Sequence, residues 1–453
     1  MKMKNSFKLR HSGVIILVLF ITSMHSFHLS PKNTLLLKRQ HSSSSSSLNF
    51  FVTATNTATN TATNTATNTA TNVVPHPTNL KTELKTSTLT PPPSTKIYPK
   101  LSKLKRNLSP SIFEIDTKKS LTYLSNDILK YVVSLFPLLL LSNSDLPLPL
   151  LLLSSLPFHV ISGTALWSLW CIGHDSGHSL TSKNSLINEI TGELTHSCLC
   201  LTPWYNWKLS HSKHHTGHNS LEKDYSHQWF ILDGENNEGQ PVNEIVENTW
   251  WMKGGYNLRS LQLPFLYFVY LFFGIPDGGH FIPYGRMWEG EGNKVGRGLL
   301  SSGVTAGYVA GMVKLLGGFG FFNVIFGPWL VMSFWLFMVT YLQHHSEDGK
   351  VYEGSSWSFV KGAFETVDRD YGEFWNELSH NMMDGHVVHH LFFEGVPHYN
   401  LKQGTEELKS FLKEEGMDTL YKFEETEDFV GTIWKMWNEK WFFVEERNVV
   451  REE

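Results

Sequence analysis

Eight histidines fall into three short clusters: HDSGH (His174, His178), HSKHH (His211, His214, His215) and HVVHH (His386, His389, His390). A further pair, His344 and His345, closes YLQHH. On a helix, positions i, i+3 and i+4 share a face, so each cluster aims its imidazoles in one direction. Neutral imidazole is a common metal ligand. Four ligands complete a structural zinc site. Eight, plus one from YLQHH, fit two metals with positions left open for substrate or O2. An all-nitrogen set suits iron, zinc, copper or nickel, and spacing does not choose among them. The scattered His159, His218, His227 and His280 lack this spacing and read as ordinary packed or surface residues.

Apolar blocks must position these clusters. Ile128–Trp170 is almost wholly apolar around a short SNSD break, long enough for two helical passes, with Pro137, Pro147 and Pro149 expected to make the geometry irregular. The stretch from about Gly303 to Gln343 would be about 60 Å of helix, or two crossings of a core about 30 Å thick. GGFGFF, near Gly317–Phe322, is the expected turn. Leu263–Pro276 is too short for a full span and reads as interfacial or re-entrant. Two crossings return the chain to the side it left, so the segments after Trp170 and after Gln343 lie on one face. All the histidine clusters belong to those segments. The expected fold is an all-α integral membrane helical bundle, with about four spans plus interfacial helices and a histidine-rich cap at the membrane face.

The rest of the 453-residue chain narrows the possibilities. With 38 Lys+Arg against 42 Asp+Glu, the net charge of −4 gives no basic field for nucleic acid. Three cysteines, Cys171, Cys198 and Cys200, do not make a disulfide framework. Residues 1–26 read as a signal-peptide-like segment, a basic start followed by VIILVLFITSM. Residues 27–108 are Ser/Thr-rich, basic and low in complexity, with Glu83 the only acidic residue before Glu114. That composition cannot bury enough apolar area to fold and is expected to be a disordered, transit-like leader. The two together resemble the bipartite plastid leader of algae with complex plastids, including a Phe (Phe27) just past the expected cleavage point. The catalytic domain is expected at 109–413 and an acidic tail at 414–453. No flavin or nicotinamide fingerprint and no HPGG haem motif occurs, and GEGNKVGRG (Gly290–Gly298), with no strand before it, reads as a loop rather than a phosphate site.

From Leu121 to Lys413 the chain resembles the membrane fatty acyl desaturases, and within them the methyl-end (Δ12 and omega-3) acyl-lipid enzymes. The resemblance lies in the three boxes in this order and in WKLSHSKHHTGHNSLEKD, VTYLQHH, SSWSFVKGAFETVDRDYG and HNMMDGHVVHHLFFEGVPHYNL. Ser176 stands where the family usually has Cys, and His380 matches a family histidine of less defined role. The resemblance implies a di-iron centre of two iron ions held by His174, His178, His211, His214, His215, His344, His386, His389 and His390. It takes the ninth ligand from His344 and not His345. It further implies an O2-dependent reaction that places a cis double bond in an acyl-lipid chain. Omega-3 selectivity is favoured over Δ12, and an acyl or carotenoid hydroxylase with the same site is the further alternative. Two electrons would come from a separate protein, ferredoxin if the protein sits in a plastid membrane, as the leader favours, or cytochrome b5 if in the endoplasmic reticulum. Asp175 and Asp384 are candidates to orient ligand N–H groups. DRDYG (Asp368–Gly372) and PHY (Pro397–Tyr399) are expected to give structural support. A histidine-lined metal carrier is disfavoured, because carriers place polar ligands within spans and these boxes flank them.

Overall fold

The computed structural model describes residues 97–220, 222–224, 231–233, 279–344, 346, 349–352, 354–425 and 443–446. Residues 1–96 of the leader, the Leu263–Pro276 stretch, His227 and His345 lie outside the described residues, whereas residues 97–108, expected to be disordered, are ordered and include a helix at Leu101–Arg106. The helices, in chain order, are α1 (Leu101–Arg106), α2 (Thr117–Ser142), α3 (Leu148–Gly177), α4 (Ser185–Gly192), α5 (Trp204–Gly217), α6 (Val295–Phe321), α7 (Gly327–His344), α8 (Phe359–Ala363), α9 (Glu373–Leu378), α10 (His386–Leu391) and α11 (Leu401–Glu414). The short strands are β1 (Ile231–Asp233), β2 (Lys350–Tyr352), β3 (Val367–Asp370), β4 (Lys422–Glu425) and β5 (Phe443–Glu446). They form a parallel β1-β5-β2 sheet and a parallel β3–β4 pair.

Among the described residues, three continuous helical stretches are long and apolar enough to cross a membrane: Thr117–Ser142, Leu148–Gly177 and Gly292–His344. The third has 53 residues, about 80 Å if straight, far more than a core about 30 Å thick. It is not straight. Gly317 takes φ 75°, ψ 164° inside it, a conformation open to glycine and strained for other residues. The break therefore falls at the first position of GGFGFF and divides the stretch into two arms. Side-chain contacts fix their directions. At its start α6 lies by α5, where Ser301 Oγ accepts from Tyr205 N at 3.1 Å and Asn206 donates to Ser302 Oγ at 3.0 Å. Just past the break, Asn323 donates to Ser142 Oγ at the far end of α2. α7 then returns alongside α3: the His159 ring nitrogen meets the Asn323 carbonyl at 2.8 Å, and Trp335 donates to Thr164. The four arms are those expected from the parity of the apolar blocks.

Proline disturbs this bundle less than its count suggests. Pro147 and Pro149 sit at the start of α3, where a missing N–H costs nothing. Pro137 lies inside α2 and Pro157 inside α3. The outer face of α2 shows Leu129, Val133, Phe136 and Leu140, all more than half exposed and spaced as one helical stripe. Such a stripe suits contact with acyl tails. Inside, α3 and α7 meet closely at Gly163, where a Cβ would lie 2.4 Å from Val331 Cβ and 2.5 Å from the Pro328 carbonyl oxygen.

The expected boundaries at 109 and 413 do not coincide with breaks in packing. Leu104 and Leu108 are buried in the main core, and beyond α11 so is Leu420. β4 continues the packed region to Glu425 by pairing with β3. The sequence missed this because acidic residues dominate the segment after Lys413, and its few anchoring apolar positions have no long period.

Candidate metal centre

Each histidine cluster sits at a helix end. HDSGH closes α3, with His174 in the last turn and His178 as its C-cap. HSKHH forms the last two turns of α5. His344 is the last residue of α7. HVVHH is nearly all of α10, a six-residue helix. So short a helix is marginal unless its surroundings hold it, and Asp368 of β3 does so by accepting the Val387 N–H at 2.9 Å. Asp368 is fully buried and also takes the Tyr421 hydroxyl. Burial pushes its carboxyl up to about 6. DRDYG thus anchors the first turn of the third box.

All nine expected histidines converge at one end of the bundle, and they sort into two groups. His174, His178, His211, His215 and His389 bring one nitrogen each within 4.8 Å of one another, and His214, His344 and His390 do the same. His386 adjoins the second group, its Nε2 3.2 Å from that of His344 and 3.1 Å from that of His390. The division cuts across the boxes. α5 sends His211 and His215 to the first group and His214 to the second, while α10 sends His389 to the first and His390 to the second. Neighbouring residues on a helix point about 100° apart, so each HH pair straddles the two groups. The His215 and His390 rings stack between them, 4.2 Å apart.

The site is dry. His215, His389 and His390 are fully buried. Burial first, and neighbouring histidines second, hold His178, His211, His215, His389 and His390 well below the ordinary imidazole range. They are therefore neutral, with lone pairs to offer. Asp224, in the SLEKD stretch, faces His214 Nδ1 with both carboxylate oxygens, at 3.1 and 3.2 Å. A neutral imidazole that donates from Nδ1 presents a bare lone pair at Nε2. That Nε2 lies 3.3 Å from His344 Nε2. His211, His215 and His389 make similar contacts in the first group, 2.9 and 3.2 Å between Nε2 atoms. Neutral imidazole nitrogens that converge this closely in a buried pocket can point their lone pairs at one cation, so the donor set fits metal ions.

Carboxylates behind the histidines were partly legible in the sequence. Asp175 Oδ1 faces His174 Nδ1 at 3.5 Å. Asp384, the other candidate, has no hydrogen-bond partner for its buried Oδ1, and burial together with Asp368 pushes its carboxyl up to about 7. The orienting acid of the second group is instead Asp224. In the sequence it stood only as the last residue of the WKLSHSKHHTGHNSLEKD resemblance, in a stretch that no periodicity describes. His380 lies apart from both groups and pairs with buried Asp127 of α2 at 2.7 Å. Of the scattered histidines, His159 binds Asn323 and His218 donates from Nδ1 to the His215 carbonyl at 2.7 Å. His280 is buried. The three cysteines are free thiols.

Comparison with known proteins agrees with this geometry. Residues 151–421 match the family model described as fatty acid desaturase. Among curated proteins, the chain is 33% identical over 261 residues to a Delta(12) fatty acid desaturase of Caenorhabditis elegans, covering 56% of this chain and 65% of the relative, just under two thirds. It is 32% identical to an endoplasmic-reticulum omega-3 fatty acid desaturase of Nicotiana tabacum (69% of this chain, 78% of the relative). It is 33% identical to an sn-1 acyl-lipid omega-3 desaturase (ferredoxin) of Synechocystis sp. (71% and 86%). The region matched by the family model contains all three histidine boxes and three of the four arms, α2 lying before it. By a family match over more than half of its length and by these relatives, this chain belongs to the fatty acid desaturase family.

Proposed function

We propose that the protein is an omega-3 acyl-lipid desaturase whose nine histidines hold two iron ions. The observation that carries the reading is the convergence of nine imidazoles, eight buried and His211 half-buried, in two adjoining groups, at one end of four apolar helical arms. Two irons held there would supply the oxidising power, with O2, to remove hydrogens from two unactivated methylenes. The chain's own part is positional. Four helix ends supply nitrogen donors, Asp224 and Asp175 orient His214 and His174, and burial excludes water that would quench an oxidant. The apolar faces of α2 and α3 keep this site at the surface of a bilayer, where an acyl lipid can reach it.

Omega-3 selectivity is supported by the TGHN and YLQHH stretches and by the omega-3 relatives from tobacco and Synechocystis. The leader composition and the ferredoxin named for the cyanobacterial relative support a plastid membrane and a ferredoxin-type donor. A membrane of the endoplasmic reticulum would pair with cytochrome b5. The test is expression from Ile97 onward in yeast, with ferredoxin and its reductase supplied, feeding of oleate or linoleate, and gas chromatography–mass spectrometry. α-Linolenate formed from linoleate is expected. Linoleate formed from oleate would make the enzyme Δ12-selective, and a hydroxylated acyl chain would replace the desaturase reading for this site.

A further inference from the structure

Behind the first histidine group lies a second buried polar array. His398 of the PHY stretch donates twice to one oxygen of Asp175, from its backbone N at 2.9 Å and from Nδ1 at 2.8 Å. The other Asp175 oxygen faces His174 Nδ1 at 3.5 Å, longer than a good hydrogen bond, and both of those buried atoms are without a hydrogen-bond partner. Asp175 and His398 are each 2% exposed. The His398 ring packs 4.6 Å from that of His380, which is tied to Asp127, and edge-on to Tyr123 at 4.9 Å. These contacts hold His398 from α2 and from the His380 turn.

We propose that His398 is a positioning residue for the first metal: by fixing the Asp175 carboxylate it fixes the tautomer and ring orientation of His174, and so sets the metal affinity of the five-histidine group alone. The inference rests on the site reading above. Its physical basis is that residues i and i+1 of a helix do not face each other, and that the terminal torsion of Asp is broad. Asp175 therefore does not aim at His174 by itself. Two N–H groups from one distant residue lock the carboxylate plane and leave the opposite oxygen pointing at His174. An orienting partner of this kind is typically worth about 10- to 100-fold in metal affinity. The second group is insulated from the change, because its His214 is oriented by Asp224 on a different segment.

The test uses the full chain purified in detergent, stripped by chelation and titrated with Co2+. Bound metal is counted by mass spectrometry, visible d–d absorption reports the ligand field, and a thermal melt is run in parallel. The wild type should take up two Co2+. His398→Gln, which keeps the side chain's reach but loses the Nδ1 donor, should weaken one equivalent about 10- to 100-fold and shift its absorption, with the other equivalent unchanged. His398→Asn, whose amide N–H overlays Nδ1, should restore tight binding, and Asp175→Asn should weaken the same single equivalent. A role in packing alone would lower the melting temperature without singling out one metal. Equal weakening of both equivalents, or wild-type binding by His398→Gln, overturns the proposal. A wild-type chain that takes up fewer than two Co2+ overturns the nine-histidine reading and this inference with it.

Discussion

Asp368 is buried, carries no metal-facing atom, and yet should decide whether the third histidine box exists as a helix. It accepts the Val387 N–H with one oxygen and the Tyr421 hydroxyl with the other. Asp368→Ala removes the acceptor of the Val387 N–H in the first turn of α10, a hydrogen bond typically worth about 1 kcal/mol. It also leaves the Tyr421 hydroxyl without that acceptor inside the fold, at a cost of about 1–3 kcal/mol. Together these come to roughly 2–4 kcal/mol. Asp368→Asn keeps the carbonyl acceptor for Val387 and offers an N–H to the Tyr421 oxygen, so its cost should stay below about 1 kcal/mol. Adding Tyr421→Phe to Asp368→Ala should recover part of the loss, because the stranded hydroxyl is then gone. The assay is a thermal melt in detergent followed by a thiol-reactive dye, for which buried Cys171 and Cys200 serve as reporters, together with metal counting. α10 feeds both histidine groups, so Asp368→Ala should lower the melting temperature by several degrees and reduce both metal equivalents. A variant as stable and metal-replete as the wild type would refute the view that β3 holds α10 in place. Asp368→Asn as damaging as Asp368→Ala would refute the hydrogen-bond account of it.

Three further outcomes are expected. His389→Ala, which removes one of five clustered nitrogens, should leave a folded, membrane-bound protein that loses metal from the first group and makes no unsaturated product; an active, metal-replete variant would count against the ligand assignment. Asp224→Asn should weaken the second metal by about 10- to 100-fold and spare the first, the opposite selectivity to the His398 variants; mass spectrometry of chelator-treated protein reads this directly. Gly163→Ala would bring a methyl within 2.4 Å of Val331 Cβ and 2.5 Å of a backbone oxygen, so α3 and α7 must part; a loss of about 1–3 kcal/mol should appear in the melt, and an unchanged melting temperature would refute the close packing of the two helices.

The sequence alone determined what repeats at short range. The i, i+3, i+4 spacing of the boxes, the apolar runs and the glycine-rich break can all be read locally, because one helical turn or one bilayer thickness sets each pattern. From them followed the helical membrane bundle, the four arms and the meeting of the clusters at one end. Tertiary structure alone decided which histidine joins which group. HVVHH looks like one unit in sequence, but the 100° step between His389 and His390 sends them to different centres once α5 and α3 are packed against α10. It also decided what holds the histidines. Asp175 and His398 are 223 positions apart and Asp368 and Tyr421 are 53 apart, and such pairs leave no periodic trace. Asp384, near the third box in sequence, makes no such bond, whereas Asp224 reaches His214 across a turn. Orientation at a buried site depends on hydrogen-bond geometry within a few tenths of an ångström, and only the packed chain sets that.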